Sequence, residues 1–182
     1  MKNKSILAVN MMFVFVILGC SQAPKFNDSF DDVSAWKPFM GAKSKVSVSA
    51  DKSVFVEGLA SLKLDFSNLD WAGIGREFAD KPAWSAKNAL SFQIKGDGKP
   101  HNISIELTDN GGERFNKIIS VSSTEWQVIV VPLKDLTRRK DWQPENAPTD
   151  GLTLTHVEGL SFSVGEKESG TVYIDDLKFV KK

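Results

Sequence analysis

The sequence predicts an all-β fold of the β-sandwich or jelly-roll class. Short segments alternate apolar and polar residues with a period of two, and clusters of Gly, Asp and Asn separate them. No window of about a dozen residues keeps the apolar stripe of an amphipathic helix. About nine or ten strands in one domain are typical of a sandwich or jelly roll.

The predicted strands follow one another from Phe26 onward. In chain order they are 46–49, 62–66, 90–94, 103–107, 115–121, 126–131, 157–164 and 172–179. Turn-forming residues lie between them at 96–98, 109–112 and 165–170. The apolar run 128–133 predicts a buried strand.

Five tryptophans are many for a chain of 182 residues. Trp126 and Trp84 each adjoin a predicted strand, and Trp36 follows an apolar turn, so we expect these three in the core. Trp71 and Trp142 each follow an aspartate in polar surroundings, and we expect both to be exposed.

Residues 1–19 predict a cleaved signal peptide. Two lysines precede the apolar run 6–18, which is long enough for a signal-peptide core but shorter than the roughly 20 residues that span a bilayer. The segment ends in Ile-Leu-Gly-Cys at 17–20, which resembles the lipobox of bacterial lipoproteins. That resemblance implies cleavage before Cys20 and a lipid on its thiol. The alternative is a secreted protein with one stray thiol.

The mature chain then consists of a short tether and one domain. Residues 20–25 would form the lipidated cysteine and its tether to the membrane, and residues 26–182 the domain. Ser21 replaces the Asp that retains lipoproteins in the inner membrane, which favours the outer membrane of a two-membrane host.

The composition excludes several function classes. Basic and acidic side chains balance at 23 each with no basic patch, which argues against a nucleic-acid partner. Cys20 is the only cysteine, so the domain has no disulfide. His101 and His156 are distant in sequence and adjoin no nucleophile motif, so we predict no enzyme activity. A carboxylate pair across a cleft stays open as an alternative.

The loop 137–144 is the most informative segment, Thr-Arg-Arg-Lys-Asp-Trp-Gln-Pro. An indole offers an apolar face for stacking, while guanidinium and amide groups offer hydrogen-bond donors and acceptors. Neutral, hydroxyl-rich sugars fit that mixture. The alternative is an exposed loop in which Arg139 simply pairs with Asp141 or another acid.

Four segments together carry a resemblance to a known family. They are Asp-Ser-Phe-Asp at 28–31, Trp-Gln-Val-Ile-Val-Val-Pro-Leu at 126–133, the loop 137–144, and Ser-Gly-Thr-Val-Tyr-Ile-Asp-Asp-Leu at 169–177. The chain from Phe26 to Phe179 resembles the family 11 carbohydrate-binding modules, galactose-binding-like jelly rolls that bind mixed-linkage β-glucans. The resemblance implies a β-glucan-type polysaccharide or oligosaccharide ligand, with a glycoside hydrolase as a possible partner.

The resemblance also implies the ligand-binding residues. The family's cleft positions fall on Phe39, Trp71, Arg139, Trp142 and Glu158. For the aromatic residues the alternatives are the core, or a cap on the edge of the sandwich.

The sequence departs from the family pattern at further cleft positions. Ser161 and Val164 stand where the family has a His and a Tyr, and the family's cleft Asp appears as Asn110 or Gly111. Stacking is kept, but groups that fix sugar orientation are lost, so the ligand is expected to differ in detail.

The resemblance implies a structural Ca²⁺ as well. Asp31 and Asp175 match the family's carboxylate positions, with carbonyl oxygens near Glu57 and Gly58 to complete the shell and Asp28 as a weaker candidate. The alternative is that these are solvated acids at strand ends.

A second hypothesis is a protein-interaction or assembly factor on the same fold, like the complex I intermediate-associated family. That family's Gly-Gly-containing signature is replaced here by Trp-Lys-Pro-Phe-Met-Gly at 36–41.

Overall fold

The computed structural model describes residues 26–181, and they form twelve β-strands. The strands are β1 (Asn27–Asp28), β2 (Lys37–Met40), β3 (Lys45–Asp51), β4 (Ser61–Ser67), β5 (Ala72–Glu77), β6 (Ala89–Lys95), β7 (His101–Thr108), β8 (Arg114–Val121), β9 (Gln127–Pro132), β10 (Thr137–Arg138), β11 (Gly159–Val164) and β12 (Ser169–Val180). One 3₁₀ turn, Leu133–Asp135, follows β9. The predicted all-β class is confirmed.

The strands form two antiparallel sheets of six. The back sheet has the order β3-β4-β12-β6-β9, and β1 adds to β12. The front sheet has the order β10-β8-β7-β11-β5-β2. Because successive side chains on a strand point to opposite faces, each sheet has one apolar face to bury, and the two meet as a sandwich.

The core lies between the sheets and follows the period of two seen in the sequence. In β4, Leu62, Leu64 and Phe66 point inward, while the residues between them are half-buried. The other strands contribute in the same way, with Ile74, Leu90, Phe92, Ile94, Ile103, Ile105, Leu107, Leu160, Phe162, Val172 and Ile174 all buried.

Four of the five tryptophan predictions are confirmed. Trp36 and Trp84 are buried, and Trp71 and Trp142 are exposed. Trp126 is only half-buried, so the prediction that it belongs to the core was wrong. It lies just before β9, at the sheet edge, where only one side of the strand has a neighbour to pack against.

The run 128–133 is not a buried strand. It divides into β9, an edge strand, and the 3₁₀ turn. Val128 and Val130 point outward and are 67% and 38% exposed, whereas Val131 is buried. A continuous apolar run does not by itself distinguish a central strand from an edge strand.

No helix among residues 26–181 has the length and hydrophobicity needed to cross a membrane. The predicted signal peptide, Cys20 and the tether lie outside the described residues, and they stay predictions.

Candidate functional site

An open cleft of about 1020 Å³ crosses the outer face of the front sheet. Its lining comes from β2, β5, β11, β7 and β8, and from the loop that follows β10. Neighbouring strands are about 4.8 Å apart, so the cleft extends roughly 19 Å across the strands. This shape suits an elongated ligand that lies across the sheet.

Short side chains form the floor of the cleft. Ser163 on β11 faces Ser104 on β7 across the strand pair, and Gly165 follows β11. Asn116 on β8 donates from Nδ2 to the Ser104 hydroxyl over 3.0 Å. The floor is therefore low and polar, and it leaves room between the taller residues at the sides.

Phe39 and Trp71 form one side of the cleft. Their ring centroids are 6.3 Å apart with an interplanar angle of 27°, so the two rings stack. Phe39 lies across Gly73 and Gly75 of β5, and a Cβ on Gly73 would come within 2.7 Å of the Phe39 Cζ. Trp71 is 56% exposed. The two glycines thus seat one aromatic ring flat on the sheet while its neighbour faces solvent.

The Trp71 backbone is held by a carboxylate. Asp70 Oδ1 accepts the Trp71 N–H over 2.8 Å and also the Ser44 hydroxyl. These hydrogen bonds, that from Ser44 foremost, lower the pKa of Asp70. The side chain is therefore ionised at neutral pH and keeps the turn before β5 in place.

Trp142 forms the other side of the cleft. It is 49% exposed, and the Arg114 guanidinium carbon lies 4.6 Å from the centre of its ring. The next residue, Gln143, ties the loop to β8: its Oε1 accepts the Arg114 N–H over 2.9 Å and its Nε2 donates to the Arg114 carbonyl over 2.8 Å. Gln143 Nε2 also donates to the Arg139 carbonyl over 3.0 Å. A side-chain amide thus extends the backbone pairing of the sheet into the loop.

A buried carboxylate joins the two arginines of this side. Glu106 on β7 is buried and accepts from Arg114 Nη1 at 2.9 Å and from Arg139 Nη1 at 3.0 Å. Arg139 also makes a two-pronged pair with Asp141, at 2.8 Å for each bond. The bond to Asp141 is the main reason that the pKa of Arg139 is raised, and the bond from Arg139 likewise lowers the pKa of Asp141.

Arg139 therefore pairs with acids and lines the cleft at the same time. Three of its five N–H groups bind Glu106 and Asp141, and one on each terminal nitrogen has no partner among residues 26–181. Those two groups are available to a ligand in the cleft.

Glu158 does not line the cleft. Its Oε1 accepts from Lys81 Nζ at 2.8 Å and from the Gly111 N–H at 3.4 Å, and the bond from Lys81 is the main cause of its lowered pKa. Glu158 directly precedes β11, which begins at Gly159, so its side chain does not follow the alternation of that strand. The structure thus brings together Phe39, Trp71, Arg139 and Trp142, and leaves Glu158 apart from them.

The acid that the sequence reasoning missed is Glu106. It occupies a polar position of the alternating segment 103–107, and a charged residue on the outer face of a strand is not by itself a sign of a binding site. The segment around Asn110 and Gly111 does not reach the cleft either: the neighbouring Asp109 is buried, where it accepts the Thr153 N–H and hydroxyl at 2.8 and 3.0 Å.

Ser161 and Val164 lie on β11, where the departures from the family pattern were noted. Val164 is 7% exposed and its outer atoms line the cleft, while Ser161 faces the Cβ position of Gly75 at 3.5 Å. Both residues are small, so this strand widens the cleft instead of adding contacts at its centre.

Asp31 and Asp175 meet at one loop, as the calcium prediction requires. However, Asp175 Oδ2 accepts the N–H groups of Val56 and Glu57 at 2.6 and 3.0 Å, and Asp31 Oδ1 accepts that of Ala60 at 3.1 Å. Backbone N–H groups point to the oxygens that a cation would need, and residues 26–181 contain no cluster of three acidic or His side chains suited to a metal. The two carboxylates are thus held by backbone N–H groups, and calcium binding stays a prediction.

Asp28, the weaker calcium candidate, has another role. Its Oδ2 accepts from the Trp36 indole N–H at 3.0 Å and from Arg76 Nη1 at 2.7 Å, and its Oδ1 accepts the Phe30 N–H at 2.9 Å. It is a buried structural acceptor.

An antiparallel sandwich with an open, polar-floored cleft between exposed aromatic rings is the architecture expected of a carbohydrate-binding module. Residues 20–182 match the carbohydrate binding domain of family 11, and the chain belongs to that family. This membership favours the carbohydrate-binding hypothesis over the assembly-factor alternative.

Solved structures share the fold. The family 11 carbohydrate-binding module from Clostridium thermocellum, in complex with a β-1,3-1,4-mixed-linked tetrasaccharide, is 23% identical, with a TM-score of 0.74 over 86% of this chain and 94% of that one. An exo-β-agarase is 19% identical, with a TM-score of 0.62 over 85% of this chain and 24% of that one. At these identities the likeness concerns the fold alone.

One curated enzyme matches part of the sequence. A mannan endo-1,4-β-mannosidase of Bifidobacterium adolescentis is 33% identical over 88 residues, which are 48% of this chain and 9% of the enzyme. The chain thus matches only a small part of that much longer protein.

Proposed function

We propose that this protein is a membrane-anchored lipoprotein whose domain binds a β-glucan-type polysaccharide or oligosaccharide without catalysis. The observation that carries the proposal is the cleft, in which exposed aromatic rings lie on both sides of a low polar floor. The mixed-linkage tetrasaccharide bound by the Clostridium thermocellum module supports this choice of ligand.

Stacking and directed hydrogen bonds would both contribute to sugar binding. The apolar faces of pyranose rings would lie on Trp71 and Trp142, and Phe39 would extend the Trp71 surface. Arg139 would donate its two remaining N–H groups to sugar hydroxyls, with its guanidinium held in a fixed direction by Glu106. Because the cleft is open and shallow, affinity would come from several weak contacts along a chain.

The anchor would be lipid on Cys20, most simply in the outer membrane. The short tether 20–25 would hold the domain close to the bilayer. A domain that binds sugar but does not cut it fits alongside a glycoside hydrolase, and we propose such an enzyme as its functional partner.

The expected contribution of one indole follows from its exposure. Trp142 is 49% exposed, and a free indole side chain buries about 200 Å² when fully covered, so about 100 Å² is available. If a sugar covers half of that, about 50 Å² leaves water, which at about 25 cal/mol per Å² is roughly 1.3 kcal/mol, or about tenfold in affinity.

Affinity electrophoresis on barley β-glucan, lichenan, xyloglucan and peptidoglycan tests the proposal. We expect retardation on a β-glucan, and about tenfold weaker binding for Trp71→Ala and for Trp142→Ala. Phe55→Ala is the matched control, because Phe55 is an aromatic residue that is 42% exposed but lies outside the cleft. A folded protein that no glycan retards would contradict the proposal. If that protein also co-purified with a single stoichiometric protein partner regardless of the tryptophan variants, the assembly-factor alternative would be favoured.

A further inference from the structure

Three apolar side chains point to solvent from one short loop. The loop 52–60 joins β3 to β4, and within five residues it exposes Phe55 and Val56 at 42% each and Leu59 at 73%. Exposed apolar side chains scattered singly are ordinary, whereas a group of three on one loop tip marks a contact surface. We call Phe55, Val56 and Leu59 the apolar tip.

The backbone under the apolar tip is already satisfied. The N–H groups of Val56 and Glu57 bond to Asp175, and those of Leu59 and Ala60 bond to Asp31. Asp175 is itself fully buried. The loop is therefore held in one conformation, and moving its tip into a less polar medium would not leave these N–H groups without partners.

The chain enters the domain at the same end of the sandwich. β1 pairs with β12 at Leu177 and Lys178, and the loop 52–60 reaches the adjacent Asp175. Asp31, only five residues after Phe26, accepts hydrogen bonds directly from the loop. Phe26 itself packs against Phe78, Trp84 and Phe179, so the tether arrives at the same end of the sandwich as the apolar tip.

The Trp71 side of the cleft lies towards the opposite end. Ser61 begins β4 at the loop 52–60, and β4 then runs for seven residues, about 20 Å, before the chain reaches Asp70 and Trp71 in the cleft wall. The side chain of Asn68 bonds to the carbonyl groups that follow β11, at the same end. The Trp71 side is thus about one strand length from the apolar tip, whereas the Arg114 side lies beside Thr108, at the other end of β7.

We infer that the apolar tip contacts the bilayer that holds the lipid anchor, and so orients the domain on the membrane. The inference rests on the proposed anchoring through Cys20. Five residues separate Cys20 from Phe26, and six steps along the chain, at no more than about 3.6 Å each, keep Phe26 within roughly 22 Å of Cys20. At such an effective concentration, a few side chains too weak to bind a membrane alone are sufficient.

This orientation has a consequence for the ligand. With the apolar tip on the bilayer, the strands stand along the membrane normal, and the cleft crosses them obliquely, with its Trp71 side farther from the bilayer and its Arg114 side nearer to it. A long polysaccharide in the cleft would then lie at a slant to the membrane.

The test labels the apolar tip in the lipidated full chain, expressed in a bacterium that processes lipoproteins. Val56→Cys accepts an environment-sensitive fluorophore, because the native Cys20 thiol is blocked by its lipid. Val128→Cys is the matched control: it is also an exposed valine, but it lies on the edge strand β9, away from the tip. Both proteins are reconstituted into vesicles of phosphatidylethanolamine and phosphatidylglycerol.

We expect a blue-shifted emission for the label at 56 that persists at high salt, and a solvent-like emission at 128. Leu59→Ser should reduce the shift at 56 while retardation on β-glucan stays unchanged, which shows that the variant is folded. If the protein floats with the vesicles and the two labels give the same emission, the inference is overturned and the anchor stands. If the protein does not float, the anchoring proposal fails and this inference fails with it.

Discussion

Replacing the buried carboxylate of Glu106 should weaken both the fold and sugar binding. In the wild type, Arg114 and Arg139 each donate to one Glu106 oxygen, at 2.9 and 3.0 Å. Glu106→Gln keeps the shape of the side chain but replaces one of these oxygens with an NH₂ group, which cannot accept from a guanidinium. One charge-assisted hydrogen bond is lost outright, which costs about 1.5–3 kcal/mol. For a domain of this size, that lowers the Tm by roughly 3–12 °C.

Sugar binding should fall with it, because the direction of the Arg139 guanidinium depends on this bond. We expect about tenfold weaker binding to β-glucan, the effect of losing one oriented hydrogen-bonding group of about 1.4 kcal/mol. Urea unfolding and affinity electrophoresis measure the two effects separately.

Glu158→Gln is the matched control for the same chemical change. Glu158 pairs with Lys81, which is half exposed, so its loss should cost less than about 1 kcal/mol and leave sugar binding unaltered. If Glu158→Gln weakened binding and Glu106→Gln did not, the cleft beside Arg139 and Trp142 would not be the sugar site. The sequence-based assignment of Glu158 would then be right.

Three further outcomes are expected. Burial raises the pKa of Asp109, so Asp109→Asn should stabilise the protein by about 1 kcal/mol above that pKa. The gain should vanish as the pH falls and the wild-type carboxyl takes up its proton. Thermal melts across pH check this, and an equal gain at low pH would contradict it. Asp175→Asn should lower the free energy of unfolding by about 2–3 kcal/mol, equally in EDTA and in calcium, because the partners of Asp175 are N–H groups. A loss of stability seen only in calcium would instead assign a metal-binding role to Asp175. The pKa values of Asp70 and Asp141 are lowered, so both stay ionised down to the ordinary aspartate pKa of about 3.9. Sugar affinity should therefore be constant from about pH 8 to about pH 4 and fall only in more acid solution. A decline centred near neutral pH would point to another group.

The sequence predicted the fold well because the period of two is a direct consequence of burying one sheet face. It missed β5, Ala-Gly-Ile-Gly-Arg-Glu, since glycine disfavours strands and breaks the pattern. The structure gives the reason: Gly73 and Gly75 are small so that the Phe39 ring can lie on them. The element hardest to predict is thus one that shapes the site.

The candidate site was predictable where its residues are close in sequence. Arg139, Asp141 and Trp142 belong to one loop, and their chemistry could be read together. Glu106 could not be found in this way, because its two partners lie 8 and 33 residues away and only strand pairing brings them together. Glu158 lies one residue before β11, and a strand boundary of this kind cannot be read from the sequence to the residue.

Both sides of the cleft are fixed before any ligand arrives. On one side, Asp70 holds the turn that carries Trp71. On the other, Gln143 ties the loop to β8 and Glu106 holds Arg139 to β7, so Trp142 is presented from a loop with little freedom left. Ordering a flexible, rotamer-rich side chain on binding costs about 0.5–1.5 kcal/mol, comparable to what one stacked sugar contributes. A shallow site that binds through a few weak contacts would therefore depend on this prior ordering, and we expect the buried Glu106 to matter to sugar binding as much as the exposed rings do.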